Sequence, residues 1–494
     1  MTTQTAAPEA EAYRLMRAGR AAEALMFAER AVAGKTVCSP SHGLLATILV
    51  SLGRRSDAEA VIANAMQCAP GVPDAYDALA YVSSSLGRHE RANALYRRAA
   101  ELPAAEPRHW YNLASSERSV GRLAQAETAC DRAIALDAHA YPSYLLRSEL
   151  RPQTPAANHV AQLQRELARP GLEDRARVFL GYALGKELDD LGRYAEAFEH
   201  FAAAASTRRR HLAYDVAVDE RKLRRIAEVF PRDSGHAAHG PDESSRYVFI
   251  VGLPRSGTTL VERILTGLPG VRSNEETDHF ARALLTASPT AEPTAGADAA
   301  DVFARAARAD WAAVAAGYAR LAGADSSGDT IVEKLPMNYL YLGAIRRALP
   351  RARLVLVSRS PLDGCFAMYR TLFGEAYPFS YDFQDLARYY AAYLTLITHW
   401  HDTLGESIHE VRYEELVADP RRTGAALAHA CGLEWSDAAV DVEKNAAVSF
   451  TASAAQVRRP IYSSSTGRWR HYRAQLEPLI AALRHAGVPL PELD

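Results

Sequence analysis

The sequence predicts two architectures in one chain: an all-helical repeat array in the first half, then an α/β domain built on a parallel sheet. Three observations carry this reading. The pair Gly-Arg recurs every 34 residues, at Gly19, Gly53, Gly87 and Gly121. Tyr247 to Val251 is a short β-branched and aromatic run of the kind a buried parallel strand requires. It breaks at once into Gly252-Leu-Pro-Arg-Ser-Gly257, and a helical pattern through Leu260, Ile264 and Leu265 follows. Arg353 to Ser358 is a second buried-strand pattern, running into Arg359-Ser-Pro-Leu-Asp363.

With 494 residues the chain has room for two or three domains with sizeable cores. Hydrophobic residues at 48% and charged residues at 23% describe an ordinary globular protein. A net charge of −2 gives no general attraction to nucleic acid or membranes. The five cysteines, Cys38, Cys68, Cys130, Cys365 and Cys431, lack CxxC pairing, which argues against a metal site or a disulfide framework. The opening MTTQTAAPEAEAYRL has neither a basic region nor an apolar stretch of secretory type, and no apolar run reaches membrane-spanning length. The expected location is the cytoplasm.

Within the array, alanines stand five residues after each glycine (Ala24, Ala58, Ala92, Ala126) and twelve after it (Ala31, Ala65, Ala99, Ala133). The register fails at RPQTPAAN, residues 151–158, and resumes at Gly192 with Ala197 and Ala204, leaving one divergent unit between. A 34-residue period with fixed small residues is the tetratricopeptide signature: glycine ends the first helix of each pair and the alanines let the pair approach closely. Such arrays form superhelical solenoids with a concave binding face. The expected role is binding a protein partner or self-association. The basic run Thr207–His211 and the amphipathic stretch to Phe230 read as a joining helix, and residues 234–245 as a polar linker. The expected domains are 1–210 (repeats), 211–245 (connection) and 246–494 (catalytic).

A strand, a tight glycine turn and a helix N-terminus bring backbone N–H groups and the positive end of a helix dipole to one point, which makes an anion cradle. The spacing G-x-x-x-x-G is that of a phosphate loop, but Thr258 stands where the loop lysine belongs, and the cation comes earlier, at Arg255. The segment Pro254-Arg-Ser-Gly-Thr-Thr259 after a strand resembles the 5′-phosphosulfate loop of the sulfotransferases, which use 3′-phosphoadenosine 5′-phosphosulfate as donor. With arginine in place of lysine it is similar to protein-tyrosine sulfotransferases and to bacterial sulfotransferases with a tetratricopeptide domain in front.

The resemblance implies roles for residues along the rest of the chain. Glu276, in Glu275-Glu276-Thr277, matches the general base of the tyrosine enzymes; His279 is the competing base. Either must remove the proton of an acceptor hydroxyl as sulfur is attacked. Residues 284–310, rich in Ala, Thr, Pro and Asp, read as a surface insertion. Lys334, between a β-like run and Leu335-Pro336, matches the lysine that reaches the donor's bridging oxygen. Arg359 matches the 3′-phosphate arginine, and its fork suits that anion. The family serine eight residues later is Ala367 here, which removes one hydroxyl contact. Tyr413 is placed against adenine or in the core. Gly467 and Arg468 belong to a loop closing over the nucleotide. Ser256, Gly257, Thr258 and Thr259 complete the cradle.

The expected function is sulfuryl transfer to a hydroxyl of a peptide tyrosine, a carbohydrate or a small molecule, with no resident metal. Strands are expected near 247–251, 329–333, 353–358 and 408–412. Two alternatives remain: a phosphate-loop kinase, which requires magnesium for nucleotide binding, and an interaction scaffold with a degenerate nucleotide site, suggested by Ala367.

Overall fold

The structure, a computed structural model, describes residues 7–69, 71–231, 242–289, 300–323, 328–445 and 447–492. Most of the linker expected over 234–245 and the centre of the insertion expected over 284–310 lie outside the described residues. By compactness the chain divides into two units, Met1–Pro152 and Gln153–Asp494.

The first unit is an array of antiparallel helix pairs: Pro8–Arg17 with Ala21–Val32, Pro40–Ser51 with Arg55–Gln67, Pro73–Ser85 with His89–Glu101, and Pro107–Ser119 with Leu123–Leu136. Proline opens each first helix, where a missing N–H costs nothing. The glycine just past each first helix adopts a left-handed φ of 71 to 86° (Gly19, Gly53, Gly87, Gly121), and this lets the chain reverse into the second helix. The repeat alanines are buried at the crossings, with Ala31 alone half-buried. The divergent unit follows as two short helices, Tyr141–Glu149 and Val160–Leu167. The last registered pair, Asp174–Asp190 and Tyr194–Arg210, lies in the second unit.

The stretch expected as one joining helix is broken. The helix of the last pair runs through the basic residues to Arg210, and a separate helix, Val216–Val229, begins after Asp215, whose carboxylate caps Ala217 N–H. Asp215 competes for backbone donors and so starts a new helix instead of continuing the old one.

The second unit is built on a parallel sheet of five strands: β1 Tyr247–Gly252, β2 Val271–Ser273, β3 Thr330–Lys334, β4 Arg353–Ser358 and β5 Ile408–Arg412. Their order is β2-β3-β1-β4-β5. Four occupy the expected positions; β2, only three residues long, has too little pattern to be recognised in sequence. β1 is buried throughout and pairs with β3 and β4. From β1 the chain goes to the edge strand β2 and back to β3 on one side, then crosses to β4 on the other. This topological switch opens a crevice at the carboxyl end of β1, where open α/β sheets bind ligands. No helix among the described residues is long and apolar enough to cross a membrane.

Repeat helices in the second unit are bonded to the sheet domain. Tyr182 Oη donates to Tyr369 O at 3.2 Å, Arg209 pairs with Asp385 at 2.7 Å, and Asp189 accepts from Arg370 at 2.6 Å. A chain beginning at Gln153 is therefore expected to melt cooperatively. One beginning at Arg246 leaves Arg370, Arg468 and Asp385 without these partners and is expected to melt roughly 10 °C or more lower, if it folds at all. Circular dichroism melts check this, and equal melting temperatures would contradict it.

Candidate functional site

The loop between β1 and helix Thr258–Thr266 turns on residues that few side chains would tolerate. Gly257 has φ 109°, and a Cβ there would lie 2.4 Å from the ring of Tyr413. Only glycine admits both the conformation and the close approach. Arg255 is left-handed at φ 65°, which costs a non-glycine residue roughly 1 kcal/mol. Its guanidinium is held by Ser453 Oγ and, at 2.8 Å, by Gln456 Oε1. Ser256, Thr258 and Thr259 are buried at the helix start, and Thr259 Oγ1 donates to Thr451 Oγ1 at 3.3 Å. Among the described residues the buried hydroxyl of Ser256 has no hydrogen-bond partner. A buried hydroxyl beside an open helix N-terminus is a fitting partner for an anionic oxygen.

Arg359 stands at the end of β4, next to this loop. It donates to Arg255 O at 2.9 Å and to Ser465 O at 2.6 Å, and its guanidinium lies 4.7 Å from the centre of the Tyr413 ring. The Tyr413 hydroxyl and Ser465 Oγ are 2.6 Å apart. Tyr413 thus packs between the loop glycine and Arg359 as part of the loop's own architecture. Burial lowers the pKa of Arg359, with Arg370 adding to the effect. Ala367 is buried, one helical turn before Arg370 on helix Pro361–Tyr369 and its cap.

Asp363 shows what the Arg-x-Pro-x-Asp arrangement does here. Its carboxylate accepts from Gly467 N–H at 2.6 Å and Trp469 N–H at 3.2 Å, pinning the loop of residues 465–469. Gly467 is left-handed at φ 71°. Arg468, the residue expected on a phosphate, donates to Asp189 at 2.5 Å.

On the other side of β1, Lys334 ends β3 fully buried. Its Nζ lies 2.6 Å from Glu276 Oε1 and 3.6 Å from Glu262 Oε2 on the loop helix. Glu276 is exposed, so the pair joins a buried cation to a solvent-facing carboxylate. Glu275 has φ 60°, and its carbonyl accepts from Lys334 N–H at 3.2 Å. Burial first, then the Glu262 carboxylate, pushes the Glu275 carboxyl up to about 8. His279 begins the next helix, His279–Ala287. The structure therefore gathers Arg255 to Thr259, Arg359, Tyr413 and Gly467 around one loop, and pairs Lys334 with Glu276.

Sequence reading missed Glu262, Glu275, Arg263 and Asp189. Arg263 and Arg458 both donate to Asn445 O at 3.0 Å, fastening the stretch that carries Asn445 and Arg458 to the loop helix. Burial, then Arg458, brings the Arg263 pKa down to about 10. Glu262 and Arg263 follow the recognised loop directly. The signal was a charged pair inside an otherwise apolar helix pattern.

Residues 247–437 match the model of the sulfotransferase family, and residues 73–106 that of a tetratricopeptide repeat. An uncharacterized protein of Aquifex aeolicus (strain VF5) is 28% identical over 366 residues, 72% of this chain and 48% of the relative, so the chain spans about half that relative's length. Among solved structures, the sulfotransferase domain of the Synechococcus PCC 7002 olefin synthase aligns with TM-score 0.36 and 19% identity over 52% of this chain and 99% of that one. A sulfotransferase from Alicyclobacillus acidocaldarius aligns with TM-score 0.28 and 18% identity over 49% and 96%. Residues 247–437, with the glycine loop at their start, are a sulfotransferase-family domain, and they follow an array that carries a tetratricopeptide repeat.

Proposed function

We propose that the protein transfers a sulfuryl group from 3′-phosphoadenosine 5′-phosphosulfate to an acceptor hydroxyl, a peptide tyrosine being one candidate. The observation that carries this reading is the buried Lys334 held 2.6 Å from the exposed Glu276, beside the loop helix. That pair sets a cation for the leaving phosphate next to a carboxylate facing the acceptor side.

The residues present suit the donor. Backbone N–H groups of the loop, Ser256, Thr258 and Arg255 hold the 5′-phosphosulfate; Arg359 and the loop around Gly467 and Arg468 hold the 3′-phosphate. The acceptor oxygen forms a bond to sulfur as the bond from sulfur to the 5′-phosphate oxygen breaks. The acceptor proton passes to Glu276, and the leaving group is adenosine 3′,5′-bisphosphate. Lys334 and the loop donors stabilise the charge that grows on the leaving oxygen, which is where fixed electrostatics accelerates such transfers. The repeat array serves a protein partner or self-association, and the location is the cytoplasm.

Arg255→Ala is expected to cost on the order of 2–4 kcal/mol in the barrier for transfer of labelled sulfate. Activity within a few-fold of wild type would show that the loop holds something else. Glu276→Gln is expected to lower turnover about 10²–10⁴-fold while donor binding survives, and His279→Ala to cost much less. The reverse order would move the base to His279.

Glu275 gives a pH-dependent expectation. Its carboxyl rises from an ordinary 4.5 to about 8 on folding, so the folded state holds a proton that the unfolded state releases. This contribution to stability falls as pH rises from about 4.5 through 8 and is level outside that window. Glu275→Gln is therefore expected to melt with wild type at pH 4 and several degrees above it at pH 9, at roughly 2–4 °C per kcal/mol. A variant that gains nothing at pH 9 would contradict this.

A further inference from the structure

Asp189 is a costly residue where it stands. It lies in the last turn of helix Asp174–Asp190, at the negative end of the helix dipole, and is 2% exposed. A buried carboxylate there is unstable unless it is fully paired. Its side-chain partners all come from beyond the repeat helices: Arg370 at 2.6 Å, Arg468 at 2.5 Å and the Tyr472 hydroxyl. The helix belongs to the last repeat pair, yet the position is not a repeat feature. Three residues before the register glycine the other units have Met16, Val50, Ser84 and Arg118; only the unit of Gly192 has a carboxylate.

The two arginines stand on segments tied to Arg359: Arg370 caps the helix that follows it, and Arg468 lies in the loop whose Ser465 carbonyl accepts from it. Arg370 follows Ala367 by three residues, so both share a helix face. Arg359 itself donates to Ser465 O at 2.6 Å, three residues before Arg468. Arg468 follows Gly467, whose N–H is bound by Asp363. Arg370 and Arg468 meet on one carboxylate oxygen, and the buried Asp189 balances their charge and sets the direction of both.

We propose that Asp189 is a positioning residue for the 3′-phosphate side of the donor site: a repeat helix orients Arg370 and Arg468 so that, with Arg359, they receive that phosphate. It offsets the missing hydroxyl at Ala367 by fixing Arg370 on the same helix face. The inference rests on the donor proposed above.

The test is calorimetric titration of the full chain without magnesium, using adenosine 3′,5′-bisphosphate and adenosine 5′-monophosphate. Wild type is expected to prefer the bisphosphate. Asp189→Asn is expected to reduce that preference about 10–100-fold, the scale of losing charge-assisted contacts, while affinity for the monophosphate stays within about threefold. Turnover at saturating donor should hold within a few-fold, so the effect falls on KM. Asp189→Glu should recover part of the preference. If Asp189→Asn does not fold, Tyr472→Phe removes one of the three donors and is expected to lower the preference about 2–10-fold. A preference unchanged by both folded variants, or raised by either, overturns the inference, since the carboxylate would then be idle or competing with phosphate. A wild-type protein that binds neither nucleotide overturns the donor reading, and this inference with it.

Discussion

The guanidinium of Arg359 ties together the parts of the site that come from distant stretches of chain. One nitrogen holds the carbonyl of the strained Arg255, another holds Ser465 O in the closing segment, and its face covers Tyr413. Tyr413 in turn reaches the loop so closely that position 257 admits no Cβ. The unusual backbone of the loop, with Arg255 and Gly257 both left-handed, is therefore held by contacts from β4, the turn after β5 and the C-terminal segment. Strain of this kind persists only where the surroundings over-determine it. The same cation that shapes the loop is the one proposed to face the nucleotide, so loop geometry and anion binding share one residue.

Much of this was legible in the sequence because it depends on local pattern. The β1 strand, the glycine turn and the helix after it lie within twenty residues, and their periodicities change where the structure changes. The repeat glycines and alanines were equally plain, since each serves one steric purpose that only small residues meet. Strand β2 was not legible: three half-buried residues carry no alternation to read. Nor was the helix break before Asp215, where a short polar side chain takes backbone donors that the pattern assigns to a continuing helix.

The charged interior was the least legible part. Asp189 and Arg468 meet across 279 residues of chain, and no local pattern in either stretch announces the other. Glu275 and Glu276 look equivalent in sequence. The structure separates them: one carboxyl is half-buried near Glu262, where burial favours its proton, and the other faces solvent beside Lys334. The tie of Arg468 to a repeat helix is a second contact that its motif does not announce.

The compact second unit begins at Gln153, ahead of the end of the repeat register. The last repeat pair is thus structurally part of the catalytic half, although its sequence is of the repeat type. The central claim, that loop and arginines together form a metal-independent site for a 3′-phosphorylated adenine nucleotide, is tested most directly by one titration. Wild-type protein in excess chelator should bind adenosine 3′,5′-bisphosphate tightly, with the same affinity after magnesium is added. Binding that appears only with magnesium, or that favours a nucleoside triphosphate, would contradict the account.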